Sequence, residues 1–216
     1  MSGMTTTIAT TNTANPARTW RRLAGAALIA WPLMHFGGFV TSPPGETHEP
    51  AVFREHATLV QISAVLLHYS AVLIVAVVLG MAYLLYDRMP RLAVGAAIVG
   101  VLAAVNGSGL LMMDFYDLAL AETIPDAQAV AVTGQAAAYG GFVYGFLLPA
   151  FLLHPVLIGL TVALVRAGLA RWWQPVLLVG GLALPFLVAD QPAAVQALGA
   201  VLILGALAPT AVRVLR

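Results

Sequence analysis

Residues 57–86 read ATLVQISAVLLHYSAVLIVAVVLGMAYLLY, a run without one acidic, arginine or lysine side chain. A helix rises 1.5 Å per residue, so crossing a hydrocarbon core of ~30 Å takes about 20 apolar residues. This run is long enough to span a bilayer with tilt, or to project beyond it. A strand reading fails, because an open sheet edge cannot satisfy its backbone groups in hydrocarbon. Further apolar runs lie at about 23–41, 92–113, 136–165, 172–189 and 193–212. The sequence therefore predicts an all-α fold, a polytopic membrane bundle of six transmembrane helices. Residues 1–19, rich in Thr, Ala and Asn, read as a disordered tail, and 20–216 as a single transmembrane domain.

Composition agrees. Hydrophobic residues make up 61% of the chain and charged residues 9%, against about 25% charged in a soluble domain. The net charge of +1 gives no reason to expect a nucleic-acid partner; the partner implied is the lipid bilayer. The absence of cysteine excludes disulfides, thiol catalysis and thiolate metal sites. Arg18, Arg21 and Arg22 precede the first run as in a signal peptide. That run is too long for a typical signal core and lacks a small-x-small cleavage site, so it reads as a retained span.

The charges are sorted. Every basic residue is an arginine. Arg18, Arg21, Arg22, Arg88, Arg91, Arg166, Arg171, Arg213 and Arg216 all fall on one side of the ladder. The positive-inside rule makes that side cytoplasmic, with both termini there and Trp20, Trp172 and Trp173 as interfacial anchors. Glu46, Glu49, Glu55, Asp114, Asp117, Glu122, Asp126 and Asp190 fall on the other side, with Arg54. The two longer connections, about 42–56 and 114–135, are then external. Acids and imidazoles alternate in the first of them (Glu46, His48, Glu49, Glu55, His56), but at no recognised metal-ligand spacing, so neither metal nor cofactor is expected. Gly141 with Gly145, and Gly180 with Gly181, are helix-packing signals.

An ionisable group at membrane depth is costly and is a functional candidate by default. His35, His68, His154, Asp114 and Asp117 qualify. In the stretch Asn106-Gly-Ser-Gly-Leu-Leu-Met-Met-Asp114-Phe-Tyr-Asp117, eleven residues separate Asn106 from Asp117, close to three helical turns. An unbroken helix would put both on one stripe, with Asp114 and Asp117 neighbours at i,i+3. Two such carboxyls beside an apolar wall do not ionise independently, and the one that keeps its proton is a general acid. The alternative is a solvated helix end. His68, with Tyr69, lies about 17 Å below the outer end of its span and needs a partner, Asn106 or an aspartate. His35 shares a helical face with Trp31. His154 sits between Pro149 and Pro155, where it would repair the backbone those prolines free. Tyr139, Phe142, Tyr144 and Phe146 form aromatic stripes that pack a core or line a cavity able to stabilise a cation.

In size, multi-helix layout and the acidic aromatic stretch Asp114-Phe115-Tyr116-Asp117, the chain resembles the small bacterial integral-membrane terpene cyclases. The resemblance implies cyclisation started by protonation of a prenyl alkene or epoxide, with no metal–diphosphate site. Asp114 or Asp117 would supply the proton and His68 would take the last one. Asn106, Tyr69, Tyr116, Tyr139, Phe142, Tyr144, Phe146, Trp31 and His35 would line the prenyl site. Two alternatives stand beside it. One is a b-type haem protein, for which His35, His68 and His154, at about 9, 17 and 27 Å from the outer face, sit at mismatched depths. The other is a transporter or structural bundle, for which no internal repeat is found.

Overall fold

A computed structural model describes residues 16–43, 49–189 and 191–215, with the side chains of the first helix described from Arg18. The positions 1–15, Glu46, His48, Asp190 and Arg216 lie outside the described residues. Those described are helical, in the order α1 (Pro16–Val40), α2 (Pro50–Glu55), α3 (Ala57–Leu85), α4 (Pro90–Leu110), α5 (Met113–Thr123), α6 (Asp126–Ala137) and α7 (Gly140–Phe142). A π turn (Val143–Leu147) follows, then α8 (Leu148–Phe151), α9 (Leu153–Arg166), α10 (Trp173–Leu187), α11 (Ala193–Gln196) and α12 (Leu198–Leu215). The described part of the first helix begins at Pro16, inside the stretch read as tail.

Among the described residues, five helical segments are long and apolar enough to cross a membrane: Arg18–Val40, Ala57–Leu85, Pro90–Thr123, Gly140–Arg166 and Ala193–Leu215. The 15 residues of α10 are apolar but shorter; at 1.5 Å each they cover roughly 22 Å. Ile98, Leu102 and Val105, one stripe of α4, are each more than half exposed. Such a greasy outer face is a liability in water and ordinary against lipid.

The core lies where α1, α3, α9, α10 and α12 meet. Leu28, Trp31, Val77, Met81, Leu85, Leu160 and Ile203 are almost fully buried there. At the crossing of α10 and α12 the backbones touch. A methyl group built on Gly181 would lie 2.6 Å from the Gly199 carbonyl oxygen, and one on Gly199 would lie 2.6 Å from that of Gly181. Pro185, lacking an N–H, leaves the Gly181 carbonyl without its i→i−4 donor and free to face the neighbouring helix. Around Gly141 and Gly145 there is open space, so that pair makes no close helix contact.

The arginines gather at one end. Arg88 donates to the Ala167 carbonyl, and Arg213 donates to those of Gly168 (3.2 Å) and Leu169 (2.8 Å). These carbonyls close α9. Gly168, at φ +70°, gives the left-handed turn, and Leu169 N–H returns to the Leu164 carbonyl at 2.8 Å. Cations there also oppose the negative end of the helix dipole.

At the other end, the stretch read as an external loop, 114–135, is mostly a helical hairpin of α5 and α6. Phe53, Val60, Leu118 and Ala121 form a small second core that ties α2 and α5 to α3. Arg54 bridges the hairpin: its Nε donates to the Ala121 carbonyl at 2.8 Å, and its guanidinium pairs with Asp126. Both charged side chains are about half exposed, so the ion pair is worth at most ~1 kcal/mol. Thermal unfolding in detergent should therefore shift little in Asp126→Asn and more in Arg54→Ala, which also strips a donor from α5.

Candidate functional site

The hairpin borders an open cavity of about 460 Å³. Gly109, Leu110, Met113, Tyr116, Asp117 and Leu120 supply one wall, from the end of α4 and from α5. Val132, Thr133 and Ala136 of α6 supply another, and Phe142 and Phe146 a third. The lining is almost wholly apolar, and its one ionisable carboxyl belongs to Asp117, which is 8% exposed. Thr133 Oγ1 donates to Asp117 Oδ1 at 2.8 Å. A buried carboxyl needs such a partner, and the bond also holds it at a fixed attitude.

The aromatic wall has a local cause. Pro149 cannot donate to the carbonyl four residues back, and the helix above it runs as a π turn at Val143–Leu147. Phe142 precedes that turn and Phe146 lies within it; π turns inside helices frequently mark functional sites.

The expected residues do not gather as one group. Asp117, Tyr116, Phe142 and Phe146 share the cavity. Asp114 lines a separate, more polar cavity of about 190 Å³ with Ser42, Ser63, Phe39 and Gln196. The aspartates therefore do not form one acid pair facing one substrate space. Asn106 donates to the Leu102 carbonyl of its own helix at 2.8 Å, and is not in the lining of the Asp117 cavity. The expected stripe is broken because the backbone tightens between α4 and α5. Met112 N–H bonds to Gly109 O and Phe115 N–H to Met112 O, both i→i−3.

His68 pairs with Ser108 across α3 and α4, Nδ1 to Oγ 2.9 Å, and not with Asn106 or an aspartate. Tyr69 packs edge-on against His68 and is half exposed. Tyr139 and Tyr144 point outward, 59% and 74% exposed, and neither lines the cavity. Trp31 is in the core, remote from these residues in the packing, and His35 lies between Trp31 and Phe39 with Ser70 Oγ 3.3 Å from its Nδ1. His154 behaves as expected: its Nδ1–H donates at 3.2 Å to Phe151 O, the carbonyl that Pro155 leaves without a donor. Its ring stacks on Phe151 and meets Phe186 edge-on.

Thr133 and Met113 were not anticipated. Thr133 carried a signal, as the one hydroxyl in the helix-forming stretch AQAVAVTGQAAA, but only the α5–α6 pairing makes it a carboxyl partner. Among the described residues no group of three or more His, Asp or Glu side chains is arranged to hold a metal ion. No family model, curated protein or solved structure matches the chain.

Proposed function

We propose that this chain is an intramembrane terpene cyclase in which Asp117 protonates a prenyl alkene and starts carbocation cyclisation. The observation that carries the reading is one buried carboxyl in an aromatic-walled, apolar cavity of about 460 Å³. The chemistry asks for those parts together. General-acid catalysis needs a carboxyl placed beside the alkene that it protonates. The rings of Tyr116, Phe142 and Phe146 stabilise the cation, and the surrounding bilayer prevents early quenching. The last proton returns to the Asp117 carboxylate, since His68 is engaged with Ser108 outside the lining. The substrate class is a lipophilic prenylated molecule that enters from the bilayer.

In this reading α10 is a sixth crossing and both termini face the cytoplasm. The convergence of Arg88 and Arg213 on the end of α9, opposite Arg54 and Asp126, supports that orientation. Membranes carrying the chain should convert farnesylated acceptors into cyclic isomers of unchanged mass. If intact, inserted protein leaves every such acceptor untouched, the cyclase reading fails.

A second reading, a b-type haem between two histidines, is favoured by one observation. His154 uses Nδ1–H on Phe151 O, which leaves Nε2 as its ligating atom. Purified protein on this reading shows a Soret band that His154→Ala removes; a colourless preparation after haem supplementation excludes it.

A further inference from the structure

A cavity of about 660 Å³ lies at the arginine-bearing end between the start of α10 and the end of α12. Arg171 and Arg213 line it together with Trp173. Ala208, Pro209 and Val212 of α12 supply an apolar wall. Gln174 also reaches it, but its amide is spent inside the protein. Nε2 donates to Ala206 O and to Thr210 Oγ1 (3.0 Å), and Oε1 accepts from Arg171 N–H at 2.6 Å. The guanidiniums are what remains to meet a ligand.

They are in different states. One nitrogen of Arg213 is held by the carbonyls of Gly168 and Leu169, which orients the fork while other N–H groups stay available. The Arg171 side chain is exposed and has no partner among the described residues. No acid lines the cavity. Two cations above a greasy wall suit an anion that carries its own apolar body. Trp172, 75% exposed beside Trp173, marks the level as an interfacial one.

We propose that this cavity binds the phosphate headgroup of an anionic phospholipid, with Arg171 and Arg213 on the phosphate and the upper acyl chain along Ala208, Pro209 and Val212. The shared chemistry with free phosphate is the oxyanion; the apolar wall assigns the lipid. The inference is independent of the cyclase reading and rests on the chain spanning a membrane.

The test reconstitutes the full chain in vesicles of equal phosphatidylcholine and phosphatidylglycerol, then counts retained lipids by native mass spectrometry after detergent release. Phosphatidylglycerol should be retained selectively. Arg171→Gln should lower that retention about fivefold, Arg171→Glu should lower it further, and Arg18→Gln should leave it unchanged. Arg171 is exposed, so its variants keep the fold even if Arg213→Gln loosens the end of α9. Equal retention of the two lipids overturns the proposal, as does full retention in Arg171→Gln. Displacement by millimolar inorganic phosphate alone overturns the lipid assignment. A chain that washes out of membranes in carbonate overturns the membrane reading itself, whereas an inserted chain without lipid preference overturns this inference only.

Discussion

Asp117→Asn is expected to lower cyclisation of a farnesylated acceptor by about 100- to 10,000-fold, the range for removing a general acid. The amide keeps the shape and still accepts from Thr133 through its oxygen, so insertion and thermal stability should stay close to wild type. Asp114→Asn should leave turnover nearly unchanged, because Asp114 lines the other cavity, among the hydroxyls of Ser42 and Ser63. The contrast between two aspartates one helical turn apart is the informative part. Equal losses in both variants would return the pair to a joint role and remove the assignment to Asp117. Thr133→Ala should give an intermediate loss, since it removes one hydrogen bond that orients the carboxyl.

Gly181→Val is expected to have the largest effect on stability. The added Cβ would meet Gly199 O at 2.6 Å, Ile203 Cγ1 at 2.7 Å and Ile203 N at 3.0 Å, two of them backbone atoms that cannot rotate aside. The helices would have to separate along the whole α10–α12 contact, at a cost of ~3 kcal/mol, or roughly 5–10 °C in the melting temperature of a chain this size. Gly180→Ala, one residue away, meets only Leu202 Cδ1 at 3.7 Å and should melt near wild type. Melts of the purified variants in detergent, followed by helical signal, separate the two. An unshifted Gly181→Val would mean that α10 does not pack on α12 as described.

The helical layout was legible in the sequence because hydrocarbon leaves little choice: a run such as 57–86 has no alternative to a helix. The sorting of arginines was legible for the same reason, and Arg88 and Arg213 do meet at one end. What could not be read was whatever depends on a fraction of a turn. Met112 and Phe115 shorten their bonds to i→i−3, and that alone parts Asn106 from Asp117. The split of Asp114 from Asp117 into two cavities depends on where α6 docks, a contact between segments that look like loop. His154 shows the reverse case. Pro155 fixes which carbonyl is orphaned, so its partner follows from the sequence alone. Gly181 also looked like a packing residue from its small size, but Gly141 and Gly145 looked equally so and pack on nothing nearby.

The central claim is that Asp117 delivers a proton to carbon inside the membrane. It is tested most directly by running the reaction on a farnesylated alkene in D2O and weighing the product. On the proposed function, the Asp117 carboxyl exchanges with solvent, donates deuterium to the alkene and takes a proton back from the cation. The account predicts a cyclic product carrying one deuterium on carbon, formed by the wild-type chain and lost in Asp117→Asn. Product without deuterium, or deuterated product from Asp117→Asn at the wild-type rate, would contradict it.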